Sequence, residues 1–338
     1  MLSTVWENRY GRLALLCGAS LALAQLQLFF FLFVVPLHLL YRVQGRRSFF
    51  LGALLTTAAL AGQMLVDLSA LEEQELFRLF MLVQASVPVM LLTGVYMMLD
   101  RETFRFNGIY RFLLALLVVG IIGFLVFPRV FNNETLARLI QSQWEQMGRL
   151  FTAGNRVEGG MEDALIQEFF RSPELWTEMT DLFLRTWLVG FAGIILFCWR
   201  LGERFWYTLR LRSALTRGEE ITALKPPGLL TGFRVPQSLL WPFLLAWAVI
   251  LVLHLFPVPL LRYPFWNIGL VLLFLYGLQG MGLIQYLANR RGLPRAMRFF
   301  GLMLIMALFM RPGWNSIVII GIPAFGLSEY WVHYRKQR

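Results

Sequence analysis

The chain is 338 residues long, 58% hydrophobic and only 15% charged, with a mean hydropathy of +0.61. That composition excludes a soluble globular domain, whose outer face needs far more charge, and points to lipid, where helices close their own backbone hydrogen bonds. The formal charge of +11 comes from 29 arginines and two lysines, Lys225 and Lys336; the arginines gather in loops beside apolar blocks, so the positive-inside bias explains them and no nucleic-acid partner is implied.

Met1 to Arg12 lacks the small-residue cleavage site of a secretory signal, so the first apolar block is expected to stay in the mature chain. That block, Leu13 to Tyr41, would be about 43 Å long as a straight helix, too long for one upright crossing. Gln25 and Gln27 interrupt it and Pro36 falls near its end, so it reads as one tilted, kinked helix or as a broken pair. One long or broken crossing is the expectation, with nine blocks overall. Clear spans follow at 48–66, 77–99 and 109–131.

Residues 132–179 are too long for a plain connector. Leu136, Ile140, Trp144, Met147 and Phe151 recur at helical spacing, as do Met161, Leu165 and Phe169, with Gly154 and Gly159-Gly160 between the two stretches. This extracytoplasmic amphipathic loop is either a lid over a pocket or a pair of helices lying flat in the outer interface. Further spans follow at 180–202, 237–256, 264–288, 296–311 and 315–332. Between the first two of these lies a basic, aromatic segment, 203–234, carrying Arg204, Trp206, Tyr207, Arg210 and Arg212 and ending in Pro226-Pro227-Gly228. An interfacial helix held by anionic lipid headgroups explains it, and a docking surface for a cytoplasmic protein partner is the alternative. The organisation is therefore N-terminal transmembrane helices over 1–131, the loop 132–179, and C-terminal transmembrane helices over 180–338. The fold class is all-α, a polytopic transmembrane bundle with about 8–10 membrane segments.

Loop charge orients the spans. Arg42, Arg46 and Arg47; Arg101, Arg105 and Arg111; Arg204 to Lys225; Arg290 to Arg298; and Arg335, Lys336 and Arg338 alternate with acidic or short connections. The basic loops and the C-terminus are expected on the cytoplasmic side of the membrane.

No phosphate-binding loop, zinc-protease helix or nucleophile elbow occurs, so enzyme is the weak reading. A lipid-processing site assembled from arginines and the loop carboxylates Glu162, Asp163 and Glu168 ranks lowest. Cys17 and Cys198 lie within apolar blocks without metal spacing. His38, His254 and His333 sit near the ends of different spans, with His254 on the opposite side, so they share no metal and read as interfacial side chains. No cofactor is implied. Pro36, Pro88, Pro242 and Pro323 should kink or break their helices.

Gln63, Gln84, Gln279 and Gln285 are costly within lipid unless paired or facing a cavity. Tyr276, Gln279, Gly282 and Tyr286 share one helical face, with Gly277 and Gly280 beside it. That face is either a substrate-binding wall, with Gln279 as a neutral hydrogen-bonder, or a small-residue packing seam with glutamine as interhelical glue. No basic residue has an evident carboxylate partner deep in the bilayer, which argues against a self-powered secondary transporter.

Three segments carry a resemblance. They are Phe233-Arg-Val-Pro236 followed by Trp241-Pro242; Tyr276-Gly-Leu-Gln-Gly-Met-Gly-Leu-Ile-Gln-Tyr-Leu-Ala-Asn-Arg-Arg-Gly-Leu-Pro294; and Gly326-Leu-Ser-Glu329 running on to Arg335-Lys336. Together they resemble the YybS-like proteins, bacterial multi-spanning inner-membrane proteins of unknown function. That family is in turn distantly similar to the substrate-binding components of energy-coupling-factor vitamin transporters. The resemblance implies a micronutrient-type ligand and a separate coupler and ATPase; it makes Gln279 and its glycine neighbours pocket or packing residues without choosing between them. The extra spans and the long loop of this chain depart from that pattern. The expected function is transport-related: binding or moving a small or lipidic solute without an ATPase of its own. The alternative is a membrane scaffold or assembly factor that works through a separate membrane or cytoplasmic protein partner.

Overall fold

The computed structural model describes residues 8–68, 74–131, 133–154, 172–218, 230–256, 258–332 and 334–335; the stretch Met161 to Phe169 and the carboxylates Glu162, Asp163 and Glu168 lie outside them. Among the described residues the regular structure is helical, with no strand. The chain divides into two compact units, Met1–Ala223 and Leu224–Arg338.

The first unit opens with α1 (Arg9–Ala24), a 3₁₀ stretch (Gln27–Phe33) and α2 (Val34–Gln44). These do not form one crossing. α2 folds back along α1, so that the Gln44 amide donates to the Arg9 carbonyl at 2.9 Å. With 16 and 11 residues, α1 and α2 are roughly 24 Å and 17 Å long, so neither crosses an approximately 30 Å hydrocarbon layer. The first apolar block is thus a helical hairpin, the broken-pair alternative with both outer ends together. Pro36 lies in the first turn of α2, where a missing N–H costs nothing, so it starts that helix and does not kink it. The irregular backbone between the two helices is partly satisfied from a neighbour, since the Cys198 thiol donates to the Phe31 carbonyl at 3.4 Å.

Gly45 links α2 to α3 (Arg46–Leu68) in a single residue at φ +84°, a conformation open to glycine at little cost. The sequence continues through α4 (Gln74–Leu99), α5 (Gly108–Phe131), α6 (Glu134–Gly154) and α7 (Pro173–Arg217). α2 is the core of the unit: it touches α1, α3, α4 and α7 and buries Val34, Val35, Leu37, His38 and Leu40. α7 is keyed to its neighbours where a glycine admits a large side chain. A Cβ on Gly94 of α4 would lie 2.5 Å from Ile195, one on Gly123 of α5 would enter the Trp187 ring, and Gly202 lies against His38. Such close approach drives helix association in lipid, where hydrophobic burial alone gives no preference. Phe127, Phe183, Trp187 and Phe191 form an aromatic cluster between α5 and α7. α6 covers the amphipathic 136–151 stretch as a helix; it touches the ends of α5 and α7 and buries Leu136.

α7 corrects two expectations. The span 180–202 and the basic segment after it are one unbroken 45-residue helix, roughly 67 Å long, ended by Gly218 in the left-handed conformation. The basic residues up to Arg217 therefore extend a span and do not form a separate interfacial helix. Because α7 packs on α2, α4 and α5, it belongs to the N-terminal unit, whereas the sequence grouped it with the C-terminal helices.

The second unit holds 3₁₀ turns at Leu230–Gly232 and Gln237–Leu239, then α8 (Leu240–Leu255), α9 (Pro259–Arg290), α10 (Arg295–Met310) and α11 (Trp314–Ser328). α9 is its centre and packs against α8, α11 and the first 3₁₀ turn. Pro242, like Pro36, occupies a first helical turn and causes no break. Among the described residues six helices are long and apolar enough to cross a membrane: Arg46–Val66, Phe77–Leu99, Gly108–Phe131, Leu175–Arg217, Gln237–Leu255 and Leu260–Arg290. α10 and α11, at 16 and 15 residues, are shorter than an upright crossing requires. Among the described residues the polytopic helical bundle comprises six long apolar helices, the hairpin, the amphipathic α6 and two short helices.

Candidate functional site

In the second unit the three segments singled out in the sequence converge on one polar node. Gln279 of α9 is 1% exposed. Its Oε1 accepts from the Val235 N–H at 2.8 Å, while its Nε2 donates to the Gly326 carbonyl at 2.9 Å and to Glu329 Oε2 at 3.1 Å. Glu329, 7% exposed, faces Arg335 Nε at 3.3 Å and Arg234 Nη2 at 3.4 Å. Arg335 also donates to the Phe233 and Gln279 carbonyls at 2.9 and 3.3 Å, and the Tyr330 hydroxyl donates to the Val235 carbonyl at 2.9 Å. A buried carboxylate is costly unless charges or donors face it, and two guanidinium groups and the Gln279 amide face Glu329. A cleft of about 190 Å³, lined by Arg234, Val235, Gln237, Gln279, Glu329 and Tyr330, opens beside the node.

The glycines of α9 serve helix contact. A Cβ on Gly280 would enter the Ile322 carbonyl, one on Gly282 the Leu230 carbonyl, and one on Gly326 the Tyr276 carbonyl. Tyr276 is fully buried, edge-on to Phe243 at 5.0 Å between ring centroids, and Tyr286 is half-buried. Tyr276 and Gly282 lie in close helix contact, and both amide hydrogens of Gln279 are donated within the fold. This geometry is that of a small-residue seam tied by a glutamine. Arg204, Arg210 and Arg212 are exposed along α7, with the Arg210 guanidinium 5.7 Å from the Trp206 ring centroid.

The first unit brings together glutamines that stand far apart in the sequence. Gln25 at the end of α1 and Gln63 of α3 form a reciprocal amide pair, with Nε2 to Oε1 distances of 2.6 and 3.1 Å. With Gln84 and Pro88 of α4, and with Phe30 and Phe33 of the 3₁₀ stretch, they line a cavity of about 360 Å³ that has no ionisable residue in its wall. Each paired amide keeps one N–H and spare acceptor capacity. Gln63 lies 17 residues beyond Arg46, about 26 Å along α3, so the cavity is at the other end of α3 from Arg46.

At the basic end two carboxylates are held. Glu203 of α7 accepts from Arg42 Nε at 2.9 Å and lies 3.2 Å from His38 Nε2. His38 is fully buried, which corrects its reading as an interfacial side chain. Glu203 itself went unnoticed because it is 161 residues from Arg42 and sits where an apolar span turns basic. Asp100 follows α4 and accepts from the Tyr96 hydroxyl at 2.6 Å, the Thr103 N–H at 3.1 Å and the Thr103 hydroxyl at 2.8 Å, with Arg46 at 3.8 Å. Burial raises the pKa of this carboxyl, but the bonds from Tyr96 and Thr103 and the Arg46 charge outweigh it, so the carboxyl titrates below its ordinary value.

Comparison with known proteins gives one match: a family described as "Predicted membrane protein (DUF2232)" is similar over residues 212–323. The matched stretch runs from the end of α7 into α11, so it includes Gln279 and stops short of Glu329 and Arg335. No curated protein and no solved structure matches the chain. Similarity to a family of predicted membrane proteins and a bundle of apolar helices lead to the same conclusion: the chain is a polytopic, helical integral membrane protein.

Proposed function

We propose that the protein is transport-related and binds a small uncharged or lipidic solute in the glutamine-lined cavity of its first unit. The observation that carries this reading is the hairpin, whose 3₁₀ stretch forms part of the cavity wall through Phe30 and Phe33 beside the Gln25–Gln63 pair. Irregular backbone at membrane depth is tolerated where it lines a cavity, and discontinuous helices mark solute sites in transporters. A wall without charge suits a neutral ligand with amide, hydroxyl or carbonyl groups. The protein is a binding component and not an enzyme. It lies in a bacterial inner membrane with its arginine-rich ends and C-terminus cytoplasmic and the cavity at the outer end. The likeness of its C-terminal segments to the YybS-like proteins, and through them to energy-coupling-factor components, agrees with a solute-binding role that draws energy from a separate module.

Native mass spectrometry of protein extracted in mild detergent tests this. A co-purifying neutral molecule is expected on the wild type and should be lost from Gln63→Leu/Gln84→Leu, with both proteins monodisperse. Retention of the same molecule by that variant would overturn the cavity assignment.

The exposed basic extension of α7 favours a second reading, a scaffold acting through a protein partner. Changing Arg204, Arg210 and Arg212 to Gln should then remove a stoichiometric co-purifying protein. A wild type that purifies alone refutes it.

A further inference from the structure

The second unit is strongly one-sided in charge. From Leu224 to Arg338 it has eleven lysines and arginines and one acid, Glu329, which already faces Arg234 and Arg335. Four of the arginines cluster where α9 ends and α10 begins: Arg290, Arg291, Arg295 and Arg298. Beside this turn lies a cavity of about 400 Å³ between the two helices, with Arg295 and Arg298 in its wall and no carboxylate among its lining residues. α10 packs on α11, and none of its residues is buried, so it stands off as one side of a wedge.

Both walls of the wedge change polarity in the same direction. On α10, Arg295, Arg298, Leu302 and Ile305 follow one another along one face over about 15 Å, from basic to apolar. On α9 the order away from the turn is Asn289, Gln285, Ile284 and Met281, from polar to apolar. A headgroup site and a chain-binding slot are therefore stacked along one axis.

The basic mouth is also organised. Arg298 Nη1 donates to Asn289 Oδ1, fixing the guanidinium across the opening, while its buried Nε has no hydrogen-bond partner among the described residues. The N-cap of α10 is Pro294, whose side chain accepts no hydrogen bond, and no acid lies in the first turn, so the amide groups there add positive potential.

We propose that this wedge is a specific site for one anionic phospholipid, its phosphate on Arg295 and Arg298 and an acyl chain against Met281, Ile284, Leu302 and Ile305. Arginine forks suit phosphate oxygens, and the apolar wall distinguishes a lipid from a free phosphate. The topology bias alone explains basic loops, but not two walls graded in parallel around a cavity.

Delipidated protein offered equal amounts of phosphatidylglycerol and phosphatidylcholine should, by native mass spectrometry, retain one phosphatidylglycerol per chain with roughly tenfold or greater preference. Arg295→Gln/Arg298→Gln should lose that preference, whereas Arg290→Gln/Arg291→Gln, which removes the same charge outside the cavity wall, should keep it. Ile284→Trp, which narrows the slot without touching charge, should also lose the lipid. Equal retention of the two lipids by the wild type would overturn the proposal, and needs no variant to fold. So would equal loss from both arginine pairs, or displacement of the lipid by millimolar inorganic phosphate, which would make this a free-anion site.

Discussion

The imidazole of His38 fills the space that a side chain on residue 202 would need: a Cβ on Gly202 would lie 2.5 Å from ring atoms Cγ and Nδ1. The glycine lets α2 and α7 meet closely enough for Glu203, the next residue, to reach both His38 and Arg42. Gly202→Ala should therefore destabilise the protein by about 1–3 kcal/mol, since a fully buried ring has nowhere to move. Thermal unfolding in detergent measures this. Combining it with His38→Ala should recover much of the loss, and a strictly additive double variant would show that the two positions do not compete for space.

Glu203→Gln tests the charge at the same contact. It leaves Arg42 and His38 without their carboxylate, and losing charge-assisted contacts at a half-buried site costs about 1–3 kcal/mol. A clear fall in melting temperature is expected, larger than for Arg204→Gln one residue on, which is exposed. Equal effects of the two changes would mean that Glu203 is solvated.

Gln279→Leu should read out as fold stability. The change strands the Val235 N–H and one oxygen of Glu329 away from water, a penalty of about 1–3 kcal/mol for each group that finds no substitute, and removes one of the two bonds to the Gly326 carbonyl, which keeps the Glu329 N–H. Yield of monodisperse protein should drop sharply. Wild-type melting behaviour in Gln279→Leu would return this residue to the list of ligand contacts.

Asp100 gives a pH dependence with a definite sign. Its folded carboxyl titrates below the ordinary 3.8, so the ionised form is favoured by folding. Its contribution is complete above about pH 4 and disappears as the pH falls through the lower folded value. Asp100→Asn should be less stable than wild type near neutrality, by about 1–3 kcal/mol, and the difference should shrink on acidification. A gap that stays constant down to pH 3 would rule out the ionised carboxyl as its source.

Six of the nine apolar blocks, their order and the all-helical class were legible because runs of about 20 apolar residues have few other solutions, whereas the first block, 296–311 and 315–332 correspond to shorter helices. Gln279 and its glycines were legible as a face, since helical spacing places them there before any partner is known. The partners were not. Val235, Gly326 and Glu329 approach Gln279 from segments 44 to 50 residues away. The hairpin was harder still: Gln25, Gln27 and Pro36 signal an interruption, but nothing in their spacing says whether the chain continues across or returns. The Arg9–Gln44 contact, 35 residues apart, decides that. His38 misled because a histidine near a span end resembles an interfacial one until Glu203 is seen beside it.

The three glycine contacts of α7 lie at different heights and on different neighbours: Trp187 at Gly123, Ile195 at Gly94, and Gly202 at His38. Like teeth engaged with three separate racks, they bar the helix from turning about its own axis or sliding past one neighbour alone. Whatever displaces the basic end near Arg217 must move the shaft as a whole or bend it beyond the last tooth.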